Sequence, residues 1–466
     1  MPYVFYDTET TGISTAFSQI LQFAAIKTDE ELNEIDRFQV RCRLLPHIVP
    51  SPGALLVTGI TPDVLTDESL PTHYEAIQEI RQKLVGWSPA IFIGYNSIGF
   101  DEELLRQAFF QTLWPPYLTN TNGNSRSDVM RIAHSVHMYR PNTLAIPLDD
   151  RDRETFRLDK LAPVNGFEHK DAHEAMADVE ATIHVAKLAK TMAPDIWMAM
   201  SDATNKNNVV KHVMREKHFS LSERYFGKMY SWLVAYCGRN PDYDSQLAVF
   251  DLEFDPADYI SLSVEELIKT LGKSPKAIRV LTANKLPIMM PTGMAPENAK
   301  LKSVSEKERD RRADIVRSDR KFQARVGQAL SQRFSDKERS MHVELQIYDG
   351  FMSWEDQGFL EEFHEAPPGK RLRILEMLSD PRLKELGHRL LFFDNPGQLP
   401  TQLVSQMDDW LKARILAEGS GQPWTTIRAA LSEVEALLAE ENDGNDEFLG
   451  EVKGFLENRP KQIGLV

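Results

Sequence analysis

In the stretch YVFYDTETTG, residues 3 to 12, the apolar run Tyr3 to Tyr6 reads as a buried strand that leads straight into Asp7 and Glu9, with Thr10, Thr11 and Gly12 behind them. Side chains two apart on a strand share a face, so the two carboxylates stand side by side and repel. A divalent cation between them reverses the sign of that interaction, because hard oxygen ligands suit Mg²⁺ or Mn²⁺. A strand running into a polar turn is the other reading these ten residues allow.

More acids of the same kind lie further along. In IFIGYNSIGFDEELL, Asp101 stands where a strand and loop give way to a helix, a place where backbone amides hold a carboxylate. It is equally placed to be a plain helix N-terminal acid. In EHKDAHEAMADVEATIHVAKLAK the spacing is helical, with Val179, Ile183 and Ala186 on one stripe flanked by Asp178 and Thr182. On a continuous helix the five-residue step from His173 to Asp178 turns the side chains about 140° apart, which puts His173 in the preceding loop or first turn. A surface histidine is the alternative.

Elements of several kinds must position these groups. With 466 residues the chain is too long for one ordinary core, and 42% hydrophobic with 26% charged residues is a globular composition. Residues 1–190 alternate strand-like runs (ILQFAAI, AIFIGYN) with helix-like ones (DEELLRQAFF), as in an α/β domain. APDIWMAMSDATNKNN reads as a junction. In residues 195–340, KMYSWLVAYC, SQLAVFDLEF and AIRVLTANKLPIMM read as strands of a small barrel or sandwich. Residues 342–466 show helical spacing, as in Leu386, Leu390 and Leu391, or Leu431, Val434, Leu437 and Leu438. The charged run SEKERDRRADIVRSDRK reads as a solvated helix face.

The net charge of −15 conceals a division: residues 1–200 carry −10, residues 201–350 carry +4 and residues 351–466 carry −9. Nucleic-acid binding needs a local positive surface rather than a positive total, so the overall sign excludes no such partner. Two cysteines, Cys42 and Cys237, fit a reducing compartment, no apolar run reaches the length of a membrane span, and a cleaved leader would remove Asp7. A cytoplasmic protein is expected.

Together, D-x-E at Asp7 and Glu9, F-D at Asp101 and A-H-x-A-x-x-D at His173 and Asp178 resemble the motifs of the DEDD 3′-to-5′ exonucleases, histidine subclass. PGALLVTGITP, GYNSIGFD, TFRLDKL, NGFEHKDAHEAMADVEATI, ANKLPIM and LQIYDGF are similar to segments of the bacterial exonuclease I family, densely over residues 1–190 and more thinly afterwards. The interval between DVMR and YRP is expanded relative to that family. The resemblance implies an RNase H-like exonuclease domain with a mixed sheet (1–190), an SH3-like β domain (195–340) and a C-terminal helical domain (342–466). It implies metal-dependent 3′-to-5′ hydrolysis of single-stranded DNA to 5′-mononucleotides, in repair and recombination. An RNA-trimming enzyme with the same site and a nonenzymatic binder with a decayed site are the rival functions.

By the same resemblance, two Mg²⁺ ions, replaceable by Mn²⁺, are held with Asp7 bridging, Glu9 and Asp178 on the water side and Asp101 on the leaving-group side. His173 accepts the proton of the attacking water, a task suited to an ordinary pKa of about 6.5. Thr10, Gly12 and Thr58, Gly59, Ile60 and Thr61 line the terminal nucleotide. Arg140 and Arg157 are phosphate ligands or ordinary surface arginines, and Phe100 and Tyr95 stack on bases or, as favoured for Tyr95, pack in the core. The acidic tail of single-stranded-DNA-binding protein is an expected partner, with Arg140 and Arg317 as receptors. A monomer is expected, with the basic middle third and the helical domain as a clamp that sustains processive digestion. On that view a chain ending near residue 190 would, if folded, still cut short strands.

Overall fold

The computed structural model describes residues 1–168, 174–296, 304–334, 338–419, 421–439 and 445–465. Strand β1 (Tyr3–Thr10) runs on through both carboxylates rather than ending before them. Antiparallel partners β2 (Ile20–Thr28) and β3 (Glu34–Arg41) lie to one side, and parallel partners β4 (Ile91–Gly94) and β5 (Ser125–Asp128) to the other, giving the order β3-β2-β1-β4-β5. β4 stops opposite the middle of β1, so Asp7 and Glu9 project past the end of the parallel half while β2 still supports them. Gly94 permits the chain to turn there, because a Cβ would meet the Tyr6 carbonyl at 2.8 Å.

Helices α1 (Pro52–Thr58), α2 (Pro62–Thr66) and α3 (His73–Trp87) precede β4, α4 (Asp101–Gln111) precedes β5, and α5 (Val129–Tyr139), α6 (Leu158–Val164) and α7 (Ala175–Met192) follow it. Strand alternation sorts β1 between two cores. Tyr3 and Phe5 pack with Val179, Ile183 and Ala186 of α7, the stripe expected from its spacing. Val4 and Tyr6 pack with Ile77, Ile80, Leu104 and Leu105 of α3 and α4.

The expected junction is instead packed helix: α8 (Pro194–Asp202) leads into α9 (Lys206–Arg215), with Ile196, Trp197 and Met200 buried on one face. The many polar residues of this stretch face away from that stripe and mask it in the sequence. Beyond it, β6 (Phe219–Tyr225), β7 (Lys228–Arg239), β8 (Gln246–Asp251), β9 (Ile278–Thr282) and β10 (Ile288–Pro291) form an antiparallel sheet of order β10-β6-β7-β8-β9. AIRVLTANKLPIMM, expected as one strand, divides into β9 and β10 at opposite edges of that sheet. Leu286, at φ 48°, and Pro287, which has no N–H to donate, break it.

Helix α10 (Val264–Gly272) lies between β8 and β9, and α11 (Glu306–Ser318) and α12 (Arg320–Gln332) follow the sheet. Phe322, Val326 and Leu330 of α12 pack on Leu233, Ala235 and Phe250. The charged run on α11 is largely exposed but buries Ala313 and Val316. Helices α13 (Trp354–Glu365), α14 (Pro368–Met377), α15 (Pro381–Asp394), α16 (Thr401–Ile415), α17 (Ile427–Ala439) and α18 (Asp446–Gln462) complete the chain. Cys42 and Cys237 are free and buried, and no helix among the described residues is long and apolar enough to cross a membrane.

The three regions share cores. Phe5 and Ala186 belong to one cluster with Phe219 and Val249, Leu55 and Ile60 to one with Val434 and Leu449, and Phe110 and Leu113 to one with Phe363 and Leu375. Uncovering Leu21, Leu55, Phe110 and Leu113 costs about 1.5–3 kcal/mol each, a sum comparable with the roughly 5–15 kcal/mol that holds a domain folded. A chain ending near residue 190 is therefore expected to lose its cooperative melting transition and to bind a hydrophobic dye. A sharp transition in calorimetry would show that the nuclease region stands alone.

Candidate active site

Asp7 and Glu9 lie on the α7 face of β1, and Asp178 reaches them from the first turn of α7. One carboxylate oxygen from each lies within 4.8 Å of the others. Asp101, the first residue of α4, approaches from the opposite flank: its Oδ1 accepts a 2.6 Å hydrogen bond from the hydroxyl of Thr8, which alternation turns away from Asp7 and Glu9. The structure thus brings the four sequence-predicted carboxylates to one end of one strand. His173 lies outside the described residues, and the helix after it starts at Ala175 with Glu174 as its N-cap.

Burial, then the neighbouring acids, raises the Asp7 pKa well above its ordinary value. Glu9 is raised to about 8, first by burial and then by Asp178, Asp101 and Glu174, with Arg41 opposing. Burial raises Asp101 to about 7 against the hydrogen bond from Thr8. Glu102 next door shows what neutralisation looks like: it is buried, receives Arg106 at 3.0 Å and Arg126 at 3.1 Å, and is bonded by Tyr6 and Thr119. Among the described residues no cationic side chain lies within ion-pair distance of Asp7, Glu9 or Asp101. An all-oxygen donor set with uncompensated negative charge fits a divalent cation.

The other expected residues separate into two groups. Thr10 is buried with its hydroxyl on the Gly12 carbonyl at 2.8 Å. Thr58 ends α1, Gly59 takes the left-handed conformation (φ 65°), Ile60 is buried and Thr61 immediately precedes α2, so this segment is a tight helix-to-helix turn. Phe100 is half-buried beside Asp101, and Tyr95 packs against the core with its hydroxyl on the Phe156 carbonyl. Three arginines are engaged elsewhere: Arg157 forks Asp159, Arg140 pairs with Asp195, and Arg317 donates to the carbonyls of Val213 and Met214 at the end of α9.

Residues 4–186 match the family described as Exonuclease, and residues 341–459 match the Exonuclease I C-terminal domain. Exodeoxyribonuclease I of Escherichia coli K12 is 28% identical over 430 residues, covering 88% of this chain and 89% of its own. The chain is similar to exodeoxyribonuclease I over most of its length. The crystal structure of E. coli exonuclease I in complex with a dA16 oligonucleotide superposes with a TM-score of 0.85 at 24% identity, covering 99% of each chain. That of SSB/exonuclease I in complex with the inhibitor CFAM gives 0.82 at 25% identity with the same coverage.

The helical region also reaches the site, which motif reading missed. Glu433 of α17 accepts from the Ser51 hydroxyl at 2.8 Å and the Gly53 N–H at 3.0 Å, so it caps α1, which leads to Thr58–Thr61. Ser51 N–H in turn donates to the Thr11 carbonyl at 2.8 Å. Arg414 lies 4.9 Å from the Phe17 ring and 4.2 Å from Trp424 while donating to Glu344, and the Glu344 carbonyl receives Gln107 of α4. Glu174, beside Asp178, is held by Gln22 and Gln39. Nothing in the local sequence marks Glu433, since its partners lie 380 and 382 residues away.

Two outcomes follow from this geometry. Carboxyls whose folded pKa is raised stabilise the fold below their unfolded values near 4 and lose that contribution as pH rises through about 7 for Asp101 and about 8 for Glu9. The melting temperature of chelated protein should fall from about pH 5 to about pH 9, and a divalent cation should raise it more at the alkaline end. A pH-independent increment would exclude these carboxylates as ligands. Glu433→Ala should cost about 1 kcal/mol, the usual worth of a cap, and Glu433→Gln should recover most of it in denaturant titrations.

Proposed function

We propose that this protein is a divalent-metal-dependent exonuclease that hydrolyses single-stranded DNA from the 3′ end to 5′-mononucleotides, with Mg²⁺ as the working ion and Mn²⁺ able to replace it. The observation that carries the reading is the cluster of Asp7, Glu9 and Asp178, with Asp101 beside it, in a chain that matches exodeoxyribonuclease I over 88% of its length. The helical region common to those relatives favours DNA over RNA trimming. Convergence of four carboxylates at one strand end argues against a decayed site.

Two divalent ions bound here would neutralise charge on the phosphoryl and leaving oxygens and lower the pKa of an attacking water. Asp7 feels the charges of both Asp178 and Asp101, and it is assigned the role of shared ligand. Thr8 orients Asp101 by donating to Oδ1, which leaves the other oxygen for a ligand role. His173 is assigned the proton acceptor at an imidazole nitrogen. Thr10, Gly12 and the turn Thr58–Thr61 border the terminal nucleotide, with Phe100 beside it, and Arg157 and Arg140 reach phosphates by giving up their present acids. A monomer working in the cytoplasm, in repair and recombination, completes the reading.

The SSB/exonuclease I structure supports the acidic tail of a single-stranded-DNA-binding protein as a partner. Arg140, whose guanidinium is exposed on Asp195, is the better receptor, because Arg317 is engaged on two carbonyls. In a test on matched single- and double-stranded DNA and RNA, rapid release of mononucleotides from single-stranded DNA alone is expected, and equal attack on RNA would move the reading to the rival. Asp7→Asn should lower turnover by on the order of a thousandfold with folding intact. His173→Ala should slow single-turnover cleavage while the strand still binds. Near-normal turnover in a well-folded Asp7 variant would defeat the metal site.

A further inference from the structure

One acid at the start of α7 stands beside the carboxylate cluster without joining it. Glu174 is the N-cap of α7, and its Oε2 accepts from the N–H groups of Met176 at 3.0 Å and Ala177 at 3.1 Å. Its Oε1 points away from the helix and accepts from the side-chain amides of Gln22 on β2 at 2.6 Å and Gln39 on β3 at 2.9 Å. The Arg41 guanidinium lies 3.7 Å from the same oxygen. Four hydrogen bonds occupy the acceptor positions that a carboxylate offers, so Glu174 is arranged as a fastener rather than as a metal ligand.

Strand register explains why these partners meet. Directly opposite residues of an antiparallel pair share a face, and Gln22 stands opposite Glu9 on β1 and opposite Arg41 on β3. Ala24 stands in the same way between Asp7 and Gln39. Two rows thus run from the metal-site carboxylates across β2 to the edge strand, and Glu174 receives polar groups from both. At its other end Glu174 is bound to Asp178, whose N–H closes the first turn of α7 on the Glu174 carbonyl at 3.0 Å. Any displacement of Glu174 therefore reaches Asp178 within one turn, and rotating the helix by a single residue would swing Asp178 through about 100°.

The length of the side chain points the same way. Asp, Asn, Ser and Thr are the favoured N-caps, and Glu is not among them. A shorter acid would cap α7 equally well, so the extra methylene of Glu174 serves its reach to β2 and β3. We infer that Glu174 is a positioning residue, which sets the height and rotation of α7 on the sheet so that Asp178 and Glu9 can share one cation. The inference rests on the proposed function and goes beyond it by assigning what holds those two ligands in register.

Substitutions in the full chain separate reach from capping. Glu174→Asp keeps a good cap but cannot span to Gln22 and Gln39. Glu174→Gln keeps the length, and the two glutamine amides can rotate to offer it their oxygens. Mn²⁺ binding is read from the electron paramagnetic resonance signal of the free ion, and melting is followed in chelator. Glu174→Asp should weaken Mn²⁺ binding about tenfold or more, the usual effect of losing a group that orients a ligand, with melting in chelator unchanged. Glu174→Gln should recover most of that affinity. Adding Gln39→Ala to Glu174→Asp should cost nothing further, because the bond it removes is already gone. Unchanged Mn²⁺ affinity in Glu174→Asp overturns the inference, and so does an equal loss in Glu174→Gln, which would make the charge rather than the reach the essential property. Should Glu174→Asp melt early, Gln39→Ala decides: at an exposed edge position it should weaken Mn²⁺ binding by itself, and full affinity there overturns the inference. Absence of Mn²⁺ binding by the unmodified protein would instead defeat the proposed function, and the inference with it.

Discussion

Like charges held together out of water are the constraint on which the structure turns. Asp7, Glu9, Asp101 and Asp178 meet at one end of β1, where burial and neighbouring acids oppose ionisation of Asp7, Glu9 and Asp101. No local arrangement favours this, so the strand that carries two of them must be fixed by everything around it. β1 has hydrogen-bonded neighbours on both edges and a core on each face. Glu102 shares the burial but receives two guanidinium groups, so its charge is compensated inside the protein. The difference between the two environments separates a carboxylate neutralised by the protein from carboxylates suited to a cation.

The scaffold extends well beyond the nuclease sheet. The loop after Glu9 is held through Phe17 by Arg414, the start of α1 is capped by Glu433, and α4 is held through Gln107 by the Glu344 carbonyl. Tyr74 of α3 meets His364 of α13 at 2.8 Å. Each of these contacts crosses from the first 190 residues to the last 125 or so. The helical region therefore stiffens the segments bordering the carboxylates, in addition to any contact it makes with a strand. A clamp and a buttress are compatible roles, but the buttress makes the nuclease region dependent on its appendage.

Sequence pattern revealed the parts of this that are periodic. The period of two in β1 placed Asp7 and Glu9 on one face, the 3.6-residue stripe of α7 placed Asp178 beside the buried Val179, and the strand-loop-helix order placed Asp101 at a helix start. What it concealed depends on distance or on masking. The apolar stripe of α8 is interrupted by polar residues, and the division of β9 from β10 hangs on the single pair Leu286 and Pro287. Arg140, Arg157 and Arg317 look alike in sequence, and only their neighbours show that each has a local acid or carbonyl to hold. Glu433 and Arg414 look like ordinary surface charges until residues far away in the chain are brought against them.

The charge division along the chain acquires a physical meaning from this arrangement. The cluster that suits a cation is, without one, a barrier to a polyanion, since phosphate and carboxylate repel at the same short range that makes them useful together. Attraction of a strand must come from elsewhere, and the only net-basic third of the chain lies over the second sheet. Arg131 and the turn carrying Lys285 bring part of that charge against the nuclease sheet, joined to the Asp101 loop through Asp128. Long-range attraction and short-range chemistry are thereby assigned to different surfaces of one molecule. Salt weakens the first more than the second, because exposed cations acting over long distances are screened more than partly buried carboxylates acting at close range.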